Sequence, residues 1–298
     1  MKPQAALATI TQQLADQGYV SDTQLAMSLH LSRQLGKPLL VEGPAGVGKT
    51  EIAKVMAKVM DTDLIRLQCY EGLDAHHALY EWNYPRQMLH LRMQEESSAT
   101  MEEKEASLFS EKFLLRRPLL QALTHHQAPV LLIDEVDRAD EEFESFLLEI
   151  LSDWQITIPE MGTIQATHRP VVILTGNRTR ELSEALRRRC LYLWIDYPTF
   201  DKEVAIVKTK VPAIDARLAE EITAFMQELR QLRLDKVPGV AETLDWATSL
   251  AEMHFDHLDK DIVESTLGVV LKDWQDQRTT QDSLSELFER VGVRMKVE

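Results

Sequence analysis

Short apolar runs and amphipathic segments alternate along the first two thirds of the chain. The runs are rich in Leu, Ile and Val and too short for helices, which predicts strands buried on both faces of a parallel sheet. Between them, apolar residues recur every three or four positions, which predicts helices. The pattern therefore predicts an α/β fold with strands at Leu39–Glu42, Leu64–Gln68, Val130–Glu135, Pro170–Asn177 and Leu191–Ile195.

The pattern changes near Pro198. From Asp201 onward the helical period continues and no clear strand is present. We therefore predict two domains, an α/β domain over residues 1–199 and an all-α domain over residues 200–298.

Two segments interrupt the regular alternation of the first domain. An aromatic-rich segment at about 69–92 shows no regular period. A segment at about 155–169 alternates in polarity around Gly162, which predicts a β-hairpin. We expect both segments to be additions to the sheet and helices of the first domain.

A glycine-rich turn follows the first predicted strand and matches Gly-x-x-x-x-Gly-Lys-Thr, the pattern of a phosphate-binding loop. Glycines leave room for backbone N–H groups to converge on phosphate oxygens. Lys49 can reach the β- and γ-phosphates, and the Thr50 hydroxyl can ligate Mg²⁺. The helix predicted over Lys49–Met60 points its positive end at the phosphates. We therefore expect a nucleotide to bind at Gly43, Pro44, Ala45, Gly46, Val47, Gly48, Lys49 and Thr50.

Polar side chains end two of the other predicted strands. Asp134 and Glu135 follow an apolar run, where Asp134 could hold Mg²⁺ and Glu135 could orient and deprotonate water. Asn177 ends the next predicted strand and could position that water. The alternatives are a plain acidic turn for the two acids and a turn residue for Asn177. The upstream phosphate-binding loop favours the functional interpretation, because ligands bind at the carboxyl ends of parallel strands.

Two further groups are candidates because of their positions. Arg187, Arg188 and Arg189 precede the last predicted strand, and one of them could reach the phosphate of a neighbouring subunit. The alternative is a solvated helix face. Tyr19 and Val20 lie ahead of the phosphate-binding loop and are candidates for an adenine pocket, with core packing as the alternative.

The net charge of −15 narrows the classes of binding partner that we expect. Non-specific binding to nucleic acid or anionic membranes needs a positive surface, so we expect neither. No apolar run approaches the ~20 residues that span a bilayer, and the beginning of the chain lacks the pattern of a signal peptide. Cys69 and Cys190 form no motif, which is typical of reduced thiols. We therefore expect a cytoplasmic protein.

The motifs, taken in their order along the chain, resemble an AAA+ ATPase. The insert at about 69–92 and the hairpin at about 155–169 are similar to the helix-2 insert and pre-sensor hairpin of one AAA+ clade. Within that clade the chain looks most like MoxR-type proteins, and more narrowly the subgroup associated with carbon monoxide dehydrogenase maturation. Three segments carry this narrower resemblance: Gln68–Gly72, Leu186–Cys190 and Val237–Thr243.

The resemblance implies a P-loop αβα sandwich with a parallel sheet, an all-α lid domain, and a homo-hexamer with ATP between subunits. It implies that Arg189 is the arginine finger, because Arg189 directly precedes the residue that opens the last strand, and that Arg188 is the alternative. MoxR-type lids usually carry a sensor-2 arginine, whereas the matching stretch here, Val240–Thr243, has none. Lys236 is one candidate to replace it.

The resemblance also implies a function. We expect an ATP-dependent chaperone that matures a metalloenzyme client together with a von Willebrand factor A domain protein. One alternative is a nucleic-acid motor of the same clade, although the predicted hairpin tip, Pro159–Met161, offers no basic residue. The other alternative is a non-catalytic nucleotide switch, which the presence of Glu135 disfavours. ATP and Mg²⁺ are the expected cofactors.

Overall fold

The structure is a computed structural model that describes residues 3–93, 100, 103 and 107–297. Its contacts divide the chain into two compact units. The first unit takes in residues up to Leu7, Thr23–Glu42 and Thr50–Trp194. The second takes in Ala8–Asp22, Gly43–Lys49 and the chain from Ile195 onward. The phosphate-binding loop is thus counted with the helical part of the chain, although it connects two elements of the sheet-containing part.

Five parallel strands form the sheet of the first unit, in the spatial order Leu64–Gln68, Val130–Asp134, Val171–Gly176, Leu39–Glu42 and Leu191–Trp194. The strands are predominantly apolar, and every residue of Val130–Asp134, an interior strand of the sheet, is buried. The predicted parallel sheet is therefore confirmed. The nine strands of the described residues, including four outside this sheet, are β1 (Leu39–Glu42), β2 (Leu64–Gln68), β3 (Tyr80–Trp82), β4 (Leu114–Arg116), β5 (Val130–Asp134), β6 (Gln155–Ile158), β7 (Gly162–Gln165), β8 (Val171–Gly176) and β9 (Leu191–Trp194).

Helices connect these strands in the first two thirds of the chain. Buried apolar residues of the sheet and of the helices Ala75–Leu79, Pro118–Leu123, Glu141–Asp153 and Glu184–Arg189 form a hydrophobic core that includes Leu40, Leu131 and Leu186. In chain order the helices are α1 (Pro3–Asp16), α2 (Thr23–Leu35), α3 (Lys49–Met60), α4 (Ala75–Leu79), α5 (Tyr84–Met93), α6 (Pro118–Leu123), α7 (Glu141–Asp153) and α8 (Glu184–Arg189).

The segment that shows no regular period in the sequence is ordered in the structure. It contains α4, β3 and α5, and β3 pairs antiparallel with β4, which lies beyond the segment at Leu114–Arg116. Both strands are only three residues long. Such short strands leave too little alternation in the sequence to be recognised.

The predicted hairpin is present as β6 and β7, which pair antiparallel from Gln155↔Gln165 to Ile158↔Gly162. Gly162 has φ +81°, a backbone conformation that favours glycine at the turn. The exposed tip consists of Pro159 and Glu160, with Met161 partly buried.

The described residues after Ile195 form helices and no strand, as predicted. A second hydrophobic core holds them together, with Phe225 packed edge-on against Trp246 at 5.6 Å between ring centroids. The helices are α9 (Phe200–Lys210), α10 (Ala216–Leu229), α11 (Val240–Glu252), α12 (Lys260–Val270), α13 (Trp274–Asp282) and α14 (Leu284–Val297).

A buried ion pair braces this helical part. Both carboxylate oxygens of Glu203 on α9 accept hydrogen bonds from the guanidinium of Arg230, at 2.6 and 2.7 Å. Glu203 also accepts from Thr243 on α11 and Gln227 on α10. The two charged side chains are 0% and 4% exposed. Because every oxygen of the buried carboxylate has a donor, the pair fixes three helices against one another.

Candidate functional site

The phosphate-binding loop turns at two glycines with positive φ, Gly46 at +75° and Gly48 at +90°. A Cβ atom at Gly43 would lie 2.0 Å from the carbonyl oxygen of Ile195, so only glycine fits there. The Lys49 ammonium donates to the carbonyl oxygens of Gly43 and Pro44, at 2.8 and 2.6 Å. The Lys49 ammonium is therefore bound by backbone carbonyl groups of its own loop.

The N-terminus of α11 touches this loop, and both belong to the second unit. The Ala241 N–H donates to the Gly46 carbonyl oxygen at 3.1 Å. A Cβ atom on Gly239 would lie 2.7 Å from the Gly46 Cα and 2.8 Å from the Ala45 oxygen. Glu242 accepts from the Gly239 N–H at 2.8 Å and so caps the helix start. The sequence did not predict this contact, because only the fold brings two glycines so distant in the chain together.

Thr50 and Asp134, the two predicted magnesium ligands, lie together in the first unit. The Thr50 hydroxyl donates to Asp134 Oδ1 at 3.0 Å, and the Thr175 hydroxyl donates to the same oxygen at 2.5 Å. Asp134 is almost fully buried at the end of β5. Hydroxyl and carboxylate oxygens are the hard donors that Mg²⁺ prefers, so this pair suits the ion. Thr175, on the neighbouring β8, was not among the predicted site residues.

Arg66 on β2 is a second site residue that the sequence did not reveal. Its guanidinium donates to Asp134 Oδ2 through Nε at 3.0 Å and Nη2 at 2.5 Å. β2 pairs with β5 in the register Gln68↔Asp134. Arg66 therefore lies beside Leu132, two residues before Asp134 ends β5. The available signal was a charged residue between Ile65 and Leu67 in a predicted strand.

Glu135, the predicted base, follows Asp134 in the left-handed region at φ +55°. Its N–H donates to the Thr175 hydroxyl at 3.0 Å, which ties the turn to β8. Its carboxylate accepts from Arg138 Nη1 at 3.1 Å, and the side chain is one-third exposed. A left-handed glutamate is costly unless its surroundings hold it, and such strain is concentrated at functional sites.

Asn177 directly follows β8, and a buried carboxylate holds its backbone. Asp137 Oδ2 accepts from the N–H groups of Asn177 and Thr179, at 3.0 and 2.8 Å, and from the Thr179 hydroxyl at 2.8 Å. Asp137 lies two residues beyond Glu135. It therefore links the turn that carries the predicted base to the strand end that carries Asn177.

The three arginines lie at the end of α8 and are exposed. Arg188 pairs with Glu184 one turn earlier, and Arg187 lies over the ring of Tyr192 at 5.9 Å. Within the described part of the chain, Arg189 forms no ion pair. The structure brings none of the three into contact with Asp134 or Glu135, and the role of Arg189 as an arginine finger, with Arg188 as the alternative, stays a prediction.

The remaining predicted residues are Tyr19, Val20 and Lys236, all of which belong to the second unit. Tyr19 and Val20 are partly buried between α1 and α2, where the Tyr19 N–H donates to the Leu14 carbonyl oxygen. Their role at an adenine base stays a prediction. Lys236 is exposed, and its N–H donates to Asp276 at 3.1 Å.

The two cysteines, both described, are free thiols. Burial raises the pKa of the Cys69 thiol to about 12, and the nearby negative charge of Asp134 adds to the shift. Burial likewise raises the pKa of Cys190 to about 12. Both thiols are therefore protonated at neutral pH, and neither offers a thiolate nucleophile beside the acids.

A phosphate-binding loop follows β1, and the acid-terminated strand β5 is separated from β1 in the sheet by β8 alone. This arrangement defines the P-loop fold of AAA+ proteins. The family profile described as AAA domain (dynein-related subfamily) matches residues 38–190. The chain belongs to that family. The match begins at the residue before β1 and ends at the residue before β9.

Two relatives and one solved structure are similar to much of this chain. An uncharacterized protein of Staphylococcus epidermidis is 27% identical over 206 residues, which cover 67% of this chain and 70% of that protein. An uncharacterized protein of Staphylococcus aureus is 28% identical over 66% of this chain and 70% of its own length. A variant of RuvB from Thermotoga maritima is 19% identical over 98% of this chain and 83% of that chain, with a TM-score of 0.50. That last likeness shows the fold alone.

No described helix is both long enough and apolar enough to cross a membrane.

Proposed function

We propose that this protein hydrolyses ATP. The observation that carries the proposal is the hydrogen bond between Thr50, the last residue of the phosphate-binding loop, and Asp134 at the end of β5. This hydrogen bond joins the two groups that would hold Mg²⁺. Glu135 is the next residue after Asp134 in the chain. Mg²⁺, when bound, would neutralise charge on the phosphate oxygens.

The chain's own residues divide the proposed reaction between them. Backbone N–H groups of Gly46 and Gly48 and the Lys49 ammonium bind the phosphates, with α3 beginning at that point. Glu135 orients the attacking water and accepts its proton. Asn177 positions the same water from the neighbouring strand. Arg189 of an adjacent subunit neutralises the charge that develops on the transferred phosphoryl group.

We further propose that the energy of hydrolysis remodels a protein client. The support is the resemblance to MoxR-type proteins in Gln68–Gly72, Leu186–Cys190 and Val237–Thr243. In this proposal the protein is a homo-hexamer that works with a von Willebrand factor A domain protein on a metalloenzyme. Two residues of the last segment have structural roles that explain their identity: Gly239 allows contact with Gly46, and Thr243 donates to buried Glu203.

One experiment separates this proposal from its rivals. Steady-state ATP hydrolysis is measured alone, with single- and double-stranded DNA, and with a native extract depleted of nucleic acid. A chaperone hydrolyses ATP, is indifferent to DNA and is affected by its client or partner in the extract. Stimulation by DNA would support a motor instead, and absence of hydrolysis under all conditions would support a nucleotide switch.

A further inference from the structure

We propose that Arg66 is a built-in counter-cation that competes with Mg²⁺ for Asp134, so that the guanidinium must leave the carboxylate when the metal binds. The proposal rests on the proposed function in one respect, the assignment of Asp134 as a holder of Mg²⁺. It assigns a role to a residue on β2, outside the phosphate-binding loop and the acidic turn.

The hydrogen bonds of Asp134 leave little capacity for another ligand. Oδ1 accepts from the hydroxyls of Thr50 and Thr175, and Oδ2 accepts twice from Arg66. The carboxylate is only 4% exposed. A buried carboxylate needs a compensating charge, and the guanidinium supplies it in this structure.

Arg66 can leave because its other side faces solvent. The Arg66 side chain is 51% exposed, and it lies on β2, the edge strand of the five-stranded sheet. Its further hydrogen bond, to Gln68 Oε1, comes from the same strand. The contrast is with Arg230, whose side chain is 4% exposed and whose partner Glu203 is fully buried. A half-exposed guanidinium regains water when it leaves, whereas Arg230 would not.

The charge of Arg66 decides whether its replacement raises or lowers the affinity for the metal. A dication at Asp134 would lie close to the guanidinium, and like charges at that separation repel. Binding the metal therefore costs the free energy of breaking the Arg66–Asp134 pair or of opposing the two charges. Replacing Arg66 with an uncharged side chain removes that cost, so metal affinity should rise rather than fall. A purely supporting role for Arg66 in orienting Asp134 gives the opposite sign.

The test measures the affinity for Mn²⁺, which stands in for Mg²⁺ and is followed by the loss of the electron paramagnetic resonance signal of the free ion. Wild type and Arg66→Met are titrated with Mn²⁺ alone and with Mn²⁺ in the presence of a non-hydrolysable ATP analogue. We expect Arg66→Met to bind Mn²⁺ roughly five- to tenfold more tightly, the range expected for a partly exposed charge pair. Arg66→Lys, which keeps the charge but loses the paired hydrogen bonds, should fall between the two.

Two controls keep the result specific. Arg116→Met removes a comparably exposed arginine that pairs with Glu111 instead, and should leave Mn²⁺ affinity unchanged. Adding Asp134→Asn to Arg66→Met should abolish the gain, because the gain requires the Asp134 carboxylate. A gain that survives this substitution would come from binding to other acidic groups and would overturn the proposal. Thermal unfolding confirms that each variant is folded, and Arg66→Gln replaces Arg66→Met if the latter is not.

The outcomes are distinct. Unchanged or weaker Mn²⁺ binding by folded Arg66→Met would overturn the proposal. If the ATP analogue does not bind to wild type, the proposed ATPase function fails, while the titration with Mn²⁺ alone still tests the role of Arg66.

Discussion

At the scale of single residues, Asp137 connects two parts of the candidate site. One oxygen, Oδ2, accepts three hydrogen bonds from Asn177 and Thr179, whereas the buried Oδ1 has no partner among the described residues. The carbonyl oxygen of an asparagine could occupy the position of Oδ2 and keep these bonds. An alanine could not. We therefore interpret Asp137 as a positioning residue for Asn177.

This interpretation predicts a split between two substitutions. Asp137→Ala should lower kcat for ATP hydrolysis roughly 10- to 100-fold with little change in KM, because the proposed mechanism has Asn177 act on the attacking water and not on nucleotide binding. Asp137→Asn should restore most of the rate. The measurement is steady-state hydrolysis over a range of ATP concentrations.

A matched control separates positioning from stability. Asp140 lies in the same region and caps α7, where its side chain accepts from the Phe143 N–H at 2.8 Å. Asp140→Ala should cost about 1 kcal/mol of the free energy of unfolding and leave kcat unchanged. Equal losses of kcat in Asp137→Ala and Asp137→Asn, or a loss in Asp140→Ala, would count against the positioning role.

At the scale of elements, the start of α11 is the contact between the helical part of the chain and the phosphate-binding loop. Gly239 and Gly46 approach so closely that a Cβ atom on Gly239 would lie 2.7 Å from the Gly46 Cα, closer than side-chain contacts normally come. This stretch, Val240–Thr243, is where a sensor-2 arginine was expected and is missing. The N-terminus of α11 is in direct contact with the phosphate-binding loop and could couple the helical part to the nucleotide without that arginine. A change in the conformation of the loop would move the helix directly.

A single methyl group tests this coupling. Gly239 has φ −89°, so alanine there adds no backbone strain and acts only through its contact with Gly46. We expect Gly239→Ala to weaken binding of a fluorescent ATP analogue roughly tenfold, because α11 must move away from the loop. Gly268→Ala is the control, since its Cβ would meet only Gln277 at 3.8 Å. Wild-type affinity for the ATP analogue in folded Gly239→Ala would show that the contact between Gly239 and Gly46 does not affect nucleotide binding.

How much of the fold can be predicted from the sequence depends on how local the signal is. Apolar runs and turn residues identify the five sheet strands, the β6–β7 hairpin and the helical C-terminal part because each pattern lies within one element. β3 and β4 are only three residues long, and more than thirty positions separate Tyr80 from Leu114 along the chain. No local pattern predicts that they pair. The parallel direction of the five strands is predicted by their continuous apolar runs, which are typical of strands buried on both faces.

The site divides in the same way. The phosphate-binding loop, Asp134 and Glu135 carry motifs with fixed spacing. Arg66, Thr175 and Gly239 act through neighbours far along the chain, and the fold alone brings those neighbours together. The adenine pocket and the arginine finger stay predictions, since both concern partners that a single chain does not contain.

At the scale of the whole molecule, the exposure of Arg189 leads to a prediction about assembly. An arginine finger that acts across a subunit boundary is worth roughly 10³ to 10⁵ in rate where it is essential. Arg189→Ala keeps a good phosphate-binding loop and lacks the finger, whereas Lys49→Ala has the opposite defect. Each variant should be nearly inactive alone, and mixing them should restore partial hydrolysis at interfaces that pair a good loop with a good finger.

The mixing experiment needs two controls. Subunit exchange is confirmed independently by fluorescence energy transfer between labelled variants, and Arg188→Ala takes the place of Arg189→Ala in a parallel series. Exchange without recovery of activity would rule out a role of Arg189 in trans. Recovery only in the Arg188 series would move the finger to Arg188.

The central claim is that this chain hydrolyses ATP with Glu135 as the base, and Glu135→Gln tests it most directly. The amide keeps the size of the side chain and can still accept from Arg138, but it cannot take a proton from water. Binding of ATP with Mg²⁺ is measured by calorimetry and turnover by phosphate release, in wild type and variant. The account predicts measurable turnover in wild type, and in Glu135→Gln unchanged binding with turnover at least 100-fold lower. Turnover by Glu135→Gln at the wild-type rate would contradict the account.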